Sequence, residues 1–235
     1  MVIAAVLGGG RGARMGTEKP KQFLPLGGRP VFLHSLSAFT ESGLVDAALL
    51  LVPEEYVPFA EEAVQKAGLS APVHVLPGGD TRSGSLLKSL EAAKNLWGLE
   101  NNIILTHDAA RPFVTRRMIE ENIAAARQYG AVNTCVPATD TVFFSEDGRF
   151  ISSVPARKHV YHAQTPQSFR ADTLYELIHM LPEGVFDTLT DGCSVFTYFG
   201  APVAMARGSE TNLKITYPQD LSHAEEILKG LAGKA

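Results

Sequence analysis

Cysteine is scarce in this chain of 235 residues: Cys135 and Cys193 are too few for a disulfide framework and lack the paired spacing of a zinc site. Cys135, in "AVNTCVP", reads as a small buried hydrophobe on a strand. No apolar run reaches the roughly 18 residues of a membrane span, and no basic segment with a cleavage site opens the chain. A soluble, cytoplasmic protein with no membrane partner is therefore expected. Positive charge is not in excess either. The 21 Lys and Arg against 25 Asp and Glu leave a net charge of −4, so no nucleic-acid partner is expected. Repeats and low-complexity segments are missing too. The 45% hydrophobic content suits one sizeable core, and residues 1–235 are expected to form a single domain.

Two familiar nucleotide signatures are also absent. The glycine run "VLGGGRGARMGTEKPKQF" follows an apolar opening, the position of a phosphate-holding turn. It contains no Gly-Lys-Ser/Thr, which excludes a P-loop kinase. Gly8, Gly10 and Ala13 satisfy G-x-G-x-x-G/A. However, the acid that should grip a ribose at the end of the second strand is missing, since Glu18 alone stands between Arg14 and Phe39. An oxidoreductase built on this turn is a second reading, and a non-catalytic scaffold a third.

What is present is an alternation. "MVIAAVL", "VDAALLLV", "PVHVLPGG", "NIILTHDAA" and "GAVNTCVPA" read as strands. "PVFLHSLSAFTES", "EEYVPFAEEAVQKAG", "RSGSLLKSLEAAKNLW" and "TRRMIEENIAAARQYG" carry apolar residues at helical spacing. Strand alternating with helix predicts an α/β sandwich around a mostly parallel sheet, and runs such as "AALLLV" fit strands covered on both faces. After Pro137 the pattern breaks. "TDTVFFSEDGRFISSV" reads as a hairpin turning at Glu146-Asp147-Gly148, an arm whose apolar side is covered by a second copy or by its own domain.

Arg11, Arg14, Lys19 and Lys21 crowd behind the glycines. A triphosphate losing pyrophosphate builds charge on the leaving group, and loop N–H groups with nearby cations meet that demand. Lys21 follows a proline close behind the glycines. On a strand, Leu213 and Ile215 would turn Lys214, in "NLKIT", away from the apolar side, and on the residues alone an edge-strand solubility lysine is the preferred reading of it. Asp108 ends the strand "NIILTHD", where ligands of open α/β sheets bind. It suits Mg²⁺ held jointly with phosphates, or else an N-cap for the helix near Pro112. In "GGDTRSGS", N–H groups at Gly78 and Gly79 with the Ser85 hydroxyl could read the edge of a base; Asp80 and Arg82 could equally be a helix cap and a salt bridge. His107 reads as a core or supporting histidine on the opposite strand face.

Gly10–Met15 and Pro20–Phe23, with "GGDTRSGS", "HDAARPF", "QTPQSFR", "LTD" and "NLKIT" in order, resemble the cytidylyltransferases that make CDP-polyols. The resemblance spans nearly the whole chain. It implies a Rossmann-like three-layer α/β/α sandwich of nucleotidyltransferase type, with a protruding β-arm at about 138–163 exchanged across a homodimer. It implies a reaction of CTP, with Mg²⁺, and a polyol phosphate, giving a CDP-polyol and pyrophosphate. A phosphate monoester is already anionic near pH 7, so no catalytic base is needed.

By the same resemblance Arg14, Lys21 and Lys214 are catalytic, the lysines on the α-phosphate and Arg14 on the β,γ-phosphates. Leu7, Gly8, Gly9, Gly10, Gly12, Gly79, Asp80, Arg82, Ser85, Asp108 and Ala109 hold the nucleotide, and Asp108 the metal. Thr141 and Arg157 from the partner's arm, with Thr165 and Thr190, hold the polyol phosphate. Of the two branches, "VPARKHVYHAQTPQSF" and "LTDGC" look more like the ribitol 5-phosphate enzymes, whereas "HDAARP" is the wording of the 2-C-methyl-D-erythritol 4-phosphate enzymes. Ribitol 5-phosphate is the expected acceptor, with methylerythritol phosphate as the alternative.

Overall fold

Strand β1 (Val2–Leu7) is buried along its whole length, because it lies mid-sheet between two parallel neighbours. The computed structural model describes residues 1–10, 15–16 and 19–233. Its main sheet adds β4 (Ala47–Val52), β5 (Val73–Pro77), β6 (Ile103–Asp108), β7 (Ala131–Pro137), β8 (Tyr161–Arg170) and β9 (Ala204–Arg207), in the order β5-β4-β1-β6-β8-β7-β9. Four of the six pairings are parallel; only β8 runs against its neighbours β6 and β7. A two-stranded hairpin, β2 (Pro25–Leu26) and β3 (Arg29–Pro30), stands apart. The expected mostly parallel α/β sheet is thus the observed one.

Strand alternation divides the core in two. Val2, Ala4 and Val6, with Ala48, Leu50 and Val52, face helices α1 (Val31–Thr40), α2 (Val57–Ala67) and α4 (Arg116–Tyr129). Ile3, Ala5 and Leu7, with Leu49 and Leu51, face α3 (Arg82–Trp97), α5 (Ala171–Met180) and α7 (Gly192–Tyr198). Because successive side chains point to opposite faces, a continuously apolar strand is what a sheet covered on both sides requires. A short helix α6 (Val185–Thr188) precedes α7. The last helix, α8 (Pro218–Ala232), closes a third, smaller core of Met15, Leu26, Val31, Phe113, Ile215 and Ala224.

Two expectations and one alternative reading are corrected here. The two runs flanking Glu146-Asp147-Gly148 do not form paired strands. Residues 138–160 leave the sheet between β7 and β8; the Ala138 N–H donates to the Val160 carbonyl at 2.9 Å at their base, and further out they hold one isolated bridge, Phe144 to Ser153. The reversal itself is present, with Asp147 accepting the N–H groups of Arg149 and Phe150 at 2.8 and 2.9 Å. Lys214 does not lie on a strand: residues 212–215 are irregular and dock by the Ile215 N–H donating to the Ala110 carbonyl at 2.9 Å. Asp108 and Asp80 are not helix caps, because Thr115 caps α4 and Thr81 caps α3.

Candidate active site

The loops after β1, β5 and β6 meet at the carboxyl ends of the parallel strands, where an open α/β sheet offers its ligand crevice. They enclose a cleft of about 260 Å³. Leu7, Gly8, Gly9, Gly10, Lys21, Arg82, Ser85, Asp108, Ala109 and Lys214, all expected from sequence, line it, together with Gln22, Ala110 and Thr216. Arg14 and Gly12, also expected, lie outside the described residues.

Two glycine turns are pressed together on one side. A Cβ on Gly9 would fall 2.8 Å from Ser85 Oγ and 3.1 Å from the Gly79 carbonyl oxygen, and one on Gly79 would fall 2.5 Å from the Gly84 carbonyl carbon. Only glycine permits this backbone approach. The contact has a consequence for base recognition. Gly78 N–H donates to Val52 O at 2.7 Å, and Gly79 N–H to Ser85 Oγ at 3.0 Å. Both N–H groups expected to face a pyrimidine are therefore satisfied inside the protein. Ser85, buried and bonded back to Thr81 O at 3.0 Å, braces this turn. Asp80 is exposed beside it.

Lys21 sits in a single 3-10 turn, Lys21–Phe23, preceded by Pro20. Phe23 anchors that turn in the core, stacked on Tyr56 at 4.3 Å between ring centres. Lys21 and Lys214 both line the cleft. Lys214 is set by its neighbours: Arg111 Nη1 donates to the Asn212 carbonyl at 2.8 Å, and Asn212 Nδ2 to the Thr165 carbonyl at 2.8 Å.

Asp108 is the centre of the charge pattern. Lys214 Nζ stands 2.7 Å from Oδ2, Arg82 Nε 3.3 Å from Oδ1, and Arg111 Nε 3.7 Å from Oδ2. Burial alone would raise the Asp108 carboxyl. The charges of Arg82, Lys214 and Arg111 outweigh it and hold the group well below the usual carboxylate range. The carboxylate stays ionised at any physiological pH. Among the described residues, the charged groups lining the cleft are Lys21, Arg82 and Lys214 against Asp108, a surplus of positive charge.

Beneath Asp108 runs a closed chain of hydrogen bonds. Asp108 N–H donates to Thr165 Oγ1 at 3.1 Å, whose hydroxyl donates to His107 Nδ1 at 2.9 Å. His107 Nε2 in turn donates to the Arg111 carbonyl at 2.9 Å. His107 is completely buried, and burial pushes its pKa down to about 4 against smaller opposing effects from the Arg111 carbonyl and Asp108. It is a neutral supporting residue, as its strand face implied. Thr165, expected to contact a polyol phosphate, is buried under the cleft with its hydroxyl already occupied.

The other expected acceptor residues lie elsewhere. Thr141 and Arg157 are exposed on the 138–160 arm, where Arg157 Nη1 donates to the Thr139 carbonyl at 3.1 Å. Thr190 is exposed before α7, 3.4 Å from Ser194 Oγ. None of the three lines the cleft of a single chain. Sequence reading missed Gln22, Arg111 and Gln167. Gln167 accepts from Arg82 Nη2 at 3.2 Å and donates to Asp191 at 2.8 Å. Each stood inside a quoted motif, and that membership was the only signal.

Known proteins resemble this geometry. The chain aligns over 97% of its length with a 4-diphosphocytidyl-2C-methyl-D-erythritol synthase from Anaerococcus prevotii (25% identity, 96% of that chain, TM-score 0.82). It aligns over 97% with the 2-C-methyl-D-erythritol 4-phosphate cytidylyltransferase from Thermus thermophilus (31% identity, 100% of that chain, TM-score 0.74). A third structure, another 4-diphosphocytidyl-2C-methyl-D-erythritol synthase, matches at 28% identity over 97% of this chain and 98% of its own, with a TM-score of 0.78. A family model matches residues 2–230, and with it the chain belongs to the IspD family, 2-C-methyl-D-erythritol 4-phosphate cytidylyltransferase.

Proposed function

We propose that this nucleotidyltransferase uses the cleft to join CTP to 2-C-methyl-D-erythritol 4-phosphate. The observation that carries the reading is the placement of Lys21, Arg82 and Lys214 around one carboxylate beside the glycine turns. The acceptor's phosphate oxygen attacks the α-phosphorus of CTP, the bond from that phosphorus to the bridging oxygen breaks, and pyrophosphate leaves. No proton has to move in that step, since the nucleophile is an anion. Position and charge supply the rate: Lys21 and Lys214 neutralise the α-phosphate as negative charge builds on it. In the free protein Lys214 rests on Asp108, and an entering triphosphate competes for it.

Magnesium fits the donor set in a restricted sense. Among the described residues no group of three His, Cys, Asp or Glu could hold a metal. Mg²⁺ needs few protein ligands when phosphates and water complete its shell, and Asp108, whose ionised form the neighbouring cations favour, would supply one. Bound there, the ion would offset phosphate charge.

For the acceptor, the matched family and all three structures carry the methylerythritol name. They lend ribitol 5-phosphate no support, and methylerythritol phosphate replaces it as the preferred reading. Thr141 and Arg157 would reach the acceptor from the arm of a second copy, with Thr190 nearby. The apolar residues left exposed on the arm, Phe143, Phe144, Phe150, Ile151 and Val154, support such a homodimer.

The test is the lysines. Lys21→Ala and Lys214→Ala are each expected to lower kcat for pyrophosphate release about 100-fold or more, with the melting temperature little changed. Near-normal release from either variant would refute the assignment.

A further inference from the structure

The glycine turn after β1 owes its direction to a side chain outside the cation set. Gln22 is 2% exposed, and its Nε2 donates to two carbonyls of that turn, to Gly8 O at 2.5 Å and to Gly10 O at 2.8 Å. Both acceptors are carbonyl oxygens, so the amide nitrogen, with two hydrogens, must be the atom that faces them. The turn is held at its start by another bond, Gly8 N–H to Leu51 O at 2.7 Å. Gln22 itself is fixed between Lys21, which lines the cleft, and Phe23, which is packed in the core.

Peptide geometry turns this anchoring into function. In a trans peptide the C=O and the next N–H point in opposite directions. Drawing the Gly8 carbonyl toward Gln22 therefore aims the Gly9 N–H away from it. Among the described residues, neither Gly9 nor Gly10 N–H has a protein acceptor. Gly9 lines the cleft. A flipped Gly8–Gly9 peptide would present a carbonyl there instead, which repels phosphate. Nothing in the glycines resists the flip, since glycine tolerates either orientation. Gln22 supplies the constraint.

We propose that Gln22 is a positioning residue for nucleotide binding: by holding the Gly8 and Gly10 carbonyls it fixes the peptide orientation that offers the Gly9 N–H to a phosphate of CTP. This rests on the function proposed above.

The test compares Gln22→Glu, equal in shape but unable to donate when ionised, with Gln22→Met, which removes the donors without adding charge. Calorimetry with CTP at pH 8 is expected to give a dissociation constant raised at least tenfold for Gln22→Glu and about threefold for Gln22→Met, relative to the unaltered protein. At pH 6 the Gln22→Glu ratio is expected to narrow to threefold or less. There the buried carboxyl takes up a proton and donates to one carbonyl. A purely structural defect would not narrow in this way. Ratios within twofold of unity for both variants at pH 8, or a Gln22→Glu ratio equal at the two pH values, would overturn the proposal. A readout without nucleotide separates this failure from failure of the proposed function. The ¹⁵N order parameter of Gly9 is expected to fall from about 0.85 to below about 0.6 in Gln22→Met. An unchanged order parameter overturns the role of Gln22 whether or not CTP binds, whereas loss of order without CTP binding by the unaltered protein refutes only the nucleotide reading.

Discussion

The strand-end cleft and the 138–160 arm are opposites. In the cleft nearly every polar group is tied to another: Asp108 to three cations, Thr165 to His107, Gln22 to two carbonyls. The arm carries one isolated bridge and leaves Phe150 76% exposed and Ile151 60% exposed. A cleft of that kind is organised by its own chain and is ready for ligand. The arm instead leaves its large apolar residues in solvent, and in the proposed reaction its partner surface and its role toward the acceptor belong to a second copy. The nucleotide half and the acceptor half of the proposed reaction should therefore respond to different changes.

The sharpest way to separate them is to spoil the arm. Replacing Phe143, Phe150 and Ile151 together by Ser is expected to convert a dimer to a monomer in sedimentation equilibrium. Turnover should fall about 100-fold, while the CTP dissociation constant stays within about threefold, in line with loss of acceptor positioning. Loss of CTP binding to the same degree would erase the distinction, as would a native protein that is already monomeric and active.

A smaller effect lies on the cleft side, in His107. Its folded pKa of about 4 is below the ordinary value of 6.5, so the folded state favours the neutral ring. Stability from this preference is full above about pH 6.5 and is lost as pH falls toward 4, because the unfolded chain then binds the extra proton. Between pH 7 and pH 5 the loss amounts to about 2 kcal/mol. Urea unfolding of His107→Gln should lack about that much of the pH dependence, while Phe150→Ser on the arm should retain all of it. Equal slopes for His107→Gln and the unaltered protein would contradict the buried neutral histidine.

The same contrast explains what was legible in the sequence. Strands β1 and β4 announce themselves because both their faces are apolar, and β6 because it opens on Ile103, Ile104 and Leu105. β8 does not, since Gln164, Thr165, Gln167 and Ser168 are buried as polar supports under the cleft and break any hydrophobic period. Lys214 lines the cleft, but its strand was not real: Leu213 and Ile215 both pack into the small core under α8 without joining a sheet, which mimics strand alternation. Its pairing with Asp108 joins residues 106 positions apart and leaves no mark on local spacing. Arg111 and Gln22 act through backbone carbonyls, which every residue possesses, so no residue pattern encodes their partners. The arm's turn was readable from Asp147-Gly148, whereas the strands beside it were not formed.

The proposed activity itself is tested most directly by mixing the protein with CTP and Mg²⁺ and following pyrophosphate, with 2-C-methyl-D-erythritol 4-phosphate and ribitol 5-phosphate supplied in parallel. Release with the methylerythritol phosphate, and at least tenfold less with ribitol phosphate, is the expected result. Faster release with ribitol phosphate, or none with either, would contradict it.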